Sequence, residues 1–342
     1  MSAYALDDRF RALASMWPEL TAGRVLSQEK GLYRIVTESG EQSAEVSGRF
    51  RYEAASAADF PAVGDFVMAD VNGMDTAIIH NVLQRKSLFC RKAAGTGNTQ
   101  QPVAANIDTV FICMSLNRDF NLRRLERYLS VAWDSGASPV VVLTKADLCD
   151  DLEDKLEQVE SVAMGVDILT ASALSEDGYA QVARYIRPGK TVALMGSSGV
   201  GKSTLINRLL GEERLDTNGL RNDDKGRHTT THRELLLLPG GGIVIDTPGM
   251  RELGLWDSEE GVKQTFRDIE ELAGRCRFKD CSHGSEPGCA IRRAIEEGEL
   301  PGERWESYLK LMTEDAYSRD SESYLAAKEK KFKDIAKINR KK

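Results

Sequence analysis

The residues with the clearest chemical meaning are Gly196, Ser197, Ser198, Gly199, Val200, Gly201, Lys202, Ser203 and Thr204. They fit the phosphate-loop pattern G-x-x-x-x-G-K-[ST]. Glycines let backbone N–H groups turn inward around a phosphate. A helix beginning at the lysine adds its dipole and its unpaired N–H groups. Lys202 has the reach for the β- and γ-phosphates, and Ser203 has the hydroxyl that such loops place on Mg²⁺. The pattern needs a strand before it and a helix after it. The apolar run 191–195 and the periodic run 205–210 supply them. This loop alone does not separate ATP from GTP, or a kinase from a switch.

Three further segments follow runs that look like buried strands. Thr144, Lys145, Ala146 and Asp147 follow the run 139–143. Asp147 can accept two hydrogen bonds from guanine N1–H and N2–H₂. Adenine lacks that donor pair, so Asp147 selects guanine. The stem of Lys145 can cover the base plane. Ser172 and Ala173 follow the run 167–170, and their backbone can meet the guanine O6. Asp246, Thr247, Pro248 and Gly249 follow the run 242–245. Asp246 can hold Mg²⁺ through water, and the Gly249 N–H can meet the γ-phosphate. In an open α/β sheet, ligands bind at the carboxyl ends of the strands. Four such segments in one chain point to a guanine-nucleotide site. The polar loop 216–232 carries His228 and the run Thr229, Thr230 and Thr231. Thr229 or Thr230 is the expected second Mg²⁺ ligand, and the sequence does not choose between them.

A separate cluster is Cys276-x₄-Cys281-x-His283-x₅-Cys289. Three thiolates and one imidazole make a closed tetrahedral set, which suits one structural zinc ion and leaves no open position for catalysis. Free buried cysteines are the plain alternative. Arg275, Arg277, Lys279, Arg292 and Arg293 surround the cluster and can touch RNA phosphates. Cys90, Cys113 and Cys149 are scattered and read as ordinary residues.

The positioning elements follow from composition and pattern. The chain has 342 residues, enough for two or three domains, with 41% hydrophobic and 29% charged residues as in a soluble protein. No apolar run is long enough to span a bilayer. Asp7, Asp8 and Arg9 stand where a signal peptide would be apolar, so a cytoplasmic location is expected. The net charge of −7 argues against a generic polyanion binder. Residues 1–22 read as one short helix with Phe10, Leu13 and Trp17 on one side. About five short strands between 23 and 92, separated by turn signals, suggest a small barrel of the OB type. Arg49, Arg51, Arg85, Lys86, Arg91 and Lys92, with Phe50 and Phe89 interleaved, can form a nucleic-acid face, or else a solvated barrel rim with core aromatics. Residues 93–102 read as a linker. From 105 the pattern alternates strands and helices. Trp305, Tyr308, Leu309 and Met312 fall on one helical face. The tail 328–342 is strongly basic, a solvated helix or an RNA contact.

The segments come in an unusual order. Small GTPases run phosphate loop, switch threonine, D-x-x-G, guanine loop, S-A loop. Here the last two come first, a circular permutation of one fold. Together with the barrel before it and the cysteine cluster after it, the chain resembles the RsgA (YjeQ) family of small-ribosomal-subunit biogenesis GTPases over about residues 23–300. The resemblance implies an OB-fold barrel, then a circularly permuted α/β P-loop GTPase domain, then a small α-helical zinc-binding domain. The expected bounds are an extension over 1–22, the barrel with its linker over 23–103, the GTPase over 104–255 and the zinc domain with the basic tail over 256–342. The family implies binding to the small ribosomal subunit and its 16S rRNA and a role in late maturation of that subunit; a monomer without a membrane role is expected. It hydrolyses GTP to GDP with turnover that the subunit stimulates.

Two departures matter. Thr144 stands where the family usually has Asn, so affinity is expected to weaken while Asp147 keeps specificity. Met250 stands where many GTPases have a water-orienting Gln. The resemblance points to His228 in its place; a surface histidine in a mobile loop is the alternative. With neither that Gln nor an evident arginine finger, isolated turnover is expected to be slow. Two rivals stand beside this reading: a non-catalytic GTP-responsive RNA-binding assembly factor, and a P-loop ATPase or kinase acting on a small molecule.

Overall fold

The computed structural model describes residues 1, 4–29, 31–71, 76–92, 100–117, 119–172, 178–212, 234–246 and 258–319. Helix α1 (Asp8–Ala14) is capped by Asp7, whose carboxylate accepts from the Phe10 N–H at 3.0 Å. It is shorter than the helix expected over 1–22, because strand pairing already claims the chain at Thr21. Phe10 is fully buried against Phe66, and Leu13 and Trp17 pack on the same cluster.

Strands β1 (Thr21–Glu29), β2 (Leu32–Thr37), β3 (Gly40–Val46), β4 (Phe66–Asp70) and β5 (Thr76–Val82) form a closed barrel in the order β1-β2-β3-β5-β4, with β4 returning to β1. Closure leaves no open strand edge. Only β3 and β5 run parallel, and helix α2 (Gly48–Glu53) lies in the long connection that such a pair needs. Val25, Tyr33, Ile35, Val67 and Ile79 fill the interior.

Several of the basic and aromatic residues picked out on the barrel are engaged within the protein. Arg85 turns inward, bonds Asp65 at 2.7 Å and reaches the carbonyls of Ala58 and Phe60. Lys86 pairs with Asp108 at 2.7 Å, and Arg49 with Glu53. Phe89 is buried in the core of the next domain, and Phe50 packs on Phe60. Tertiary packing, invisible in local composition, has taken Arg85, Lys86 and the rings, while Arg49 pairs within its own helix and stays exposed. Strand β6 (Leu88–Lys92) pairs with β7 (Gln100–Ala105), so Gln100, Gln101 and Pro102 are strand rather than linker. The buried Val103, Ala104 and Ala105 carry the polar start of β7 with them.

The second sheet holds β8 (Thr109–Ser115), β9 (Ser138–Thr144), β10 (Asp167–Ala171), β11 (Thr191–Met195), β12 (Glu234–Leu237) and β13 (Ile243–Asp246) in the order β10-β9-β8-β11-β13-β12. All neighbours are parallel except β12 with β13. Helices α3 (Leu122–Asp134) and α4 (Leu152–Val162) pack on one face, and α5 (Ala180–Ala183) and α6 (Lys202–Leu210) on the other. Helix α5 is a single turn.

The two sheets are joined edge to edge. Ser27 of β1 pairs with Glu234 of β12, and Arg34 bonds Glu234 at 3.0 Å. Arg24 is fully buried at this junction and donates to Thr191 Oγ1 at 2.9 Å, Tyr4 O at 2.7 Å and Gly64 O at 3.2 Å. Its guanidinium also lies over the Phe66 ring. The barrel is thereby fixed to the first residue of β11, the strand that leads into the phosphate loop.

The C-terminal part is helical: α7 (Glu259–Thr265), α8 (Arg267–Ala273), α9 (Ala290–Glu296) and α10 (Gly302–Arg319). Gly261 lets α7 lie against α3, since a Cβ there would stand 2.2 Å from the Ser130 carbonyl oxygen. On α10, Trp305, Tyr308 and Met312 pack inward as expected, but Leu309 is 44% exposed and Leu311 takes the buried place.

Candidate functional site

Because β8, β9, β10, β11 and β13 run parallel, their carboxyl ends share one edge of the sheet. The phosphate loop leaves β11 there. Gly196 has φ +147°, and a Cβ would sit 2.3 Å from the Cys113 carbonyl oxygen of β8. Only glycine lets the loop pass that close. Gly199 and Gly201 also have positive φ. The Lys202 ammonium lies inside the loop and donates to the carbonyls of Gly196, at 2.8 Å, and Ser197. Ser203 and Thr204 follow in the first turn of α6.

The segment after β9 is tied to this loop by two side chains. The Thr144 hydroxyl donates to the Val200 carbonyl at 2.6 Å, and Lys145 Nζ donates to the Gly199 carbonyl at 2.8 Å. Lys145 has left-handed backbone (φ +58°), which turns the chain into the short helical turn Ala146–Leu148. That turn carries Asp147, whose carboxylate accepts from the Ser172 hydroxyl after β10. Asp246 closes the row at the end of β13. Burial pushes its carboxyl above the usual range, Lys202 opposes this and Glu234 adds to it.

Of the residues singled out in the sequence, Thr144, Lys145, Ala146, Asp147, Ser172, the whole loop 196–204 and Asp246 gather on this edge. Ala173, His228, Thr229, Thr230, Gly249 and Met250 lie outside the described residues, as does the basic tail 328–342. One neighbour was not foreseen. Arg124, in the first turn of α3, donates to both the Ser197 hydroxyl and the Asp119 carboxylate. The signal for it was topological: β8 ends on the same edge, so the segment after β8 belongs with the other four.

The cysteine cluster also assembles. The ligand atoms of Cys276, Cys281, His283 and Cys289 all lie within 4.8 Å of one another. His283 Nδ1 is 3.6 Å from the sulfurs of both Cys276 and Cys289. A tetrahedral ion bonded at about 2.3 Å to sulfur and about 2.0 Å to nitrogen sets such edges at roughly 3.5 Å. The donor set and its spacing therefore fit a tetrahedral metal. Trp305 meets the His283 ring edge-on at 5.5 Å and holds it. The scattered thiols differ. Burial pushes Cys90 up to about 11 and Cys113 up to about 12, so neither supplies a thiolate near neutral pH.

Comparison with known proteins agrees with this geometry. The RsgA GTPase family profile matches residues 82–256. A protein of Lactiplantibacillus plantarum named small ribosomal subunit biogenesis GTPase RsgA 2 is 53% identical over 296 residues, covering 86% of this chain and 83% of its own. The chain belongs to the RsgA GTPase family. An Opitutus terrae relative named small ribosomal subunit biogenesis GTPase RsgA is 49% identical, over 86% of this chain and 83% of its own. Among solved structures, YjeQ from Thermotoga maritima superposes with a TM-score of 0.63 at 29% identity, covering 85% of this chain and 97% of that one. YloQ, described as a circularly permuted GTPase, superposes with a TM-score of 0.61 at 26% identity, covering 86% and 94%. The permuted order of the loops is thus a family trait, and the chain is a GTPase.

Proposed function

We propose that the chain hydrolyses GTP to GDP and phosphate and acts in the biogenesis of the small ribosomal subunit. The observation that carries this reading is the row of hydrogen bonds from Thr144 and Lys145 to the phosphate loop, with Asp147 and Ser172 beside it. It makes one site from segments that the chain supplies in permuted order. In this reading Asp147 takes the guanine N1–H and N2–H₂, Lys145 covers the base, and the backbone at Ser172 and Ala173 meets O6. The N–H groups of 196–204 and Lys202 bind the phosphates. Ser203, Asp246 through water, and Thr229 or Thr230 hold Mg²⁺, which supplies charge neutralisation to the phosphates when bound. The Gly249 N–H faces the γ-phosphate, and His228 orients the attacking water in place of the Gln that Met250 replaces.

Cys276, Cys281, His283 and Cys289 hold one structural zinc ion in this reading. The partners are the small subunit and its 16S rRNA, and the chain acts as a monomer in the cytoplasm with no membrane role. Among the described residues no helix is long and apolar enough to cross a membrane. The nucleotide assignment is tested by Lys202→Ala and Asp147→Asn. Lys202→Ala is expected to abolish hydrolysis. Asp147→Asn is expected to shift preference from GTP toward xanthosine triphosphate, since the hydrogen-bond pattern at position 2 is inverted. An Asp147→Asn protein that still prefers GTP contradicts the base assignment.

A further inference from the structure

Helix α3 begins beside the phosphate loop. Its N-cap, Asn121, accepts from the Arg124 N–H at 2.9 Å and fixes the first turn. The Arg124 guanidinium then bonds the Ser197 hydroxyl and the Asp119 carboxylate. Ser197 is the second residue of the loop, and its own carbonyl accepts from Lys202. Arg124 therefore holds the stretch of loop that also holds the phosphate-binding lysine. Its side chain is two-thirds shielded, 33% exposed, so water screens these contacts only in part.

The flank of the same helix is locked to the C-terminal helices. Glu126, fully buried, accepts from Arg304 at 2.8 Å and from the Ser307 hydroxyl at 2.6 Å, both on α10. Arg304 also pairs with Asp268 of α8, and Ser130 bonds Thr265 of α7 at 3.1 Å. Trp305, next to Arg304, is the residue that meets the His283 ring of the Cys₃His cluster. Buried charges of this kind cost desolvation, and an apolar contact would hold two helices together at less cost. Their directional bonds set how α10 sits on α3. Helix α3 thus touches the phosphate loop at one end and α7 and α10 along its side.

We propose that Arg124 is a positioning residue of the phosphate loop, and that α3 transmits the docking of the C-terminal helices to that loop through Glu126 and Ser307. The proposal rests on the GTPase reading above. When α7 to α10 shift against a bound partner, α3 shifts as a rod, and Arg124 carries Ser197 and the loop N–H groups with it. This route is separate from the covalent one, in which the chain leaves β13 and enters α7.

The test is steady-state GTP hydrolysis by the full chain, with and without purified small ribosomal subunits. It compares wild type, Arg124→Met, Arg124→Lys, Ser307→Ala and the Arg124→Met/Ser307→Ala double variant, with thermal melting and fluorescent GDP binding alongside. Arg124→Met is expected to lower the subunit-stimulated kcat at least tenfold while KM for GTP moves less. Arg124→Lys recovers part of the loss, because an ammonium keeps the charge and a donor without the planar, pre-organised guanidinium. Ser307→Ala leaves turnover of the isolated protein unchanged and lowers the stimulated kcat several-fold. The double variant is no slower than Arg124→Met, as expected for two residues on one path. A folded Arg124→Met protein with wild-type stimulated kcat overturns the proposal, and so do effects of the two substitutions that multiply. If Arg124→Met does not fold, Ser307→Ala decides: undiminished stimulation overturns the coupling. A wild type that neither binds nor hydrolyses GTP overturns the GTPase reading itself, which GDP binding distinguishes from failure of the coupling alone.

Discussion

At the end of β9 a single hydroxyl meets the phosphate loop. The Thr144 hydroxyl donates to Val200 O at 2.6 Å and ties the end of β9 to that loop. Thr144→Ala removes it and leaves a buried carbonyl short of a donor. Affinity for GDP is then expected to fall about five- to tenfold, from the loss of about 1 kcal/mol. Thr144→Asn, which can donate to the same carbonyl, is expected to bind GDP at least as tightly as wild type. Titration with fluorescent GDP measures both, and equal affinity for Thr144→Ala and wild type contradicts a role for this bond. Asp108 makes a pH prediction. Burial pushes its carboxyl up, but the Lys86 bond, the Thr191 N–H and the Lys86 and Lys190 charges outweigh burial and hold it below the usual range. A depressed carboxylate stabilises the fold fully above its unfolded value of about 3.9 and loses that contribution as pH falls through the folded value. Melting temperature is therefore expected to drop in acid below about pH 4. Asp108→Asn should lower it at neutral pH and flatten that acid limb. Motif residues were legible at this scale because their chemistry needs fixed types at fixed spacing. Arg124 was not, since a lone arginine after a strand has no signature until the strand's direction is known.

The elements were legible where burial and local pattern agree. The five barrel strands and the parallel strands of the GTPase sheet lie where alternation and apolar runs put them. They were illegible where tertiary contact overrides local composition. The polar start of β7 pairs with β6 because its apolar end is buried, and the residues after α1 leave the helix to join the barrel. Arg85 looks like a surface group in the sequence and is held inside. The junction between the sheets gives a prediction of its own. A Cβ at Gly64 would lie 2.3 Å from Ala105 O and 2.8 Å from Ile245 Cδ1, at φ +92°. Gly64→Ala must push the barrel away from β7 and β13, so a loss of roughly 2–4 kcal/mol is expected in urea unfolding. An unfolding midpoint within error of wild type contradicts the close packing at this junction.

At the scale of the molecule, the C-terminal helices bury Val262, Phe266, Ile269 and Ile291, and the Cys₃His cluster lies in the segment that joins α8 to α9. Removing metal with a strong chelator is expected to yield about one zinc per chain and to lower the melting temperature, since binding free energy at such sites is folding free energy. Cys281→Ser should do the same without chelator. Unchanged melting after complete removal contradicts a structural metal. The architecture was legible in outline because permutation preserves every loop at its strand end. Its mechanical links were not, because Arg24 to Thr191 and Glu126 to Arg304 join residues 167 and 178 positions apart. As a GTPase that works on the small ribosomal subunit, the chain should respond to that subunit and not to the large one. The most direct measurement is GTP hydrolysis by the purified chain alone, with small subunits and with large subunits. Slow turnover alone, raised strongly by small subunits and not by large ones, is the predicted result. Tight GTP binding with no stimulation by either subunit contradicts it and favours a protein that uses GTP for binding alone.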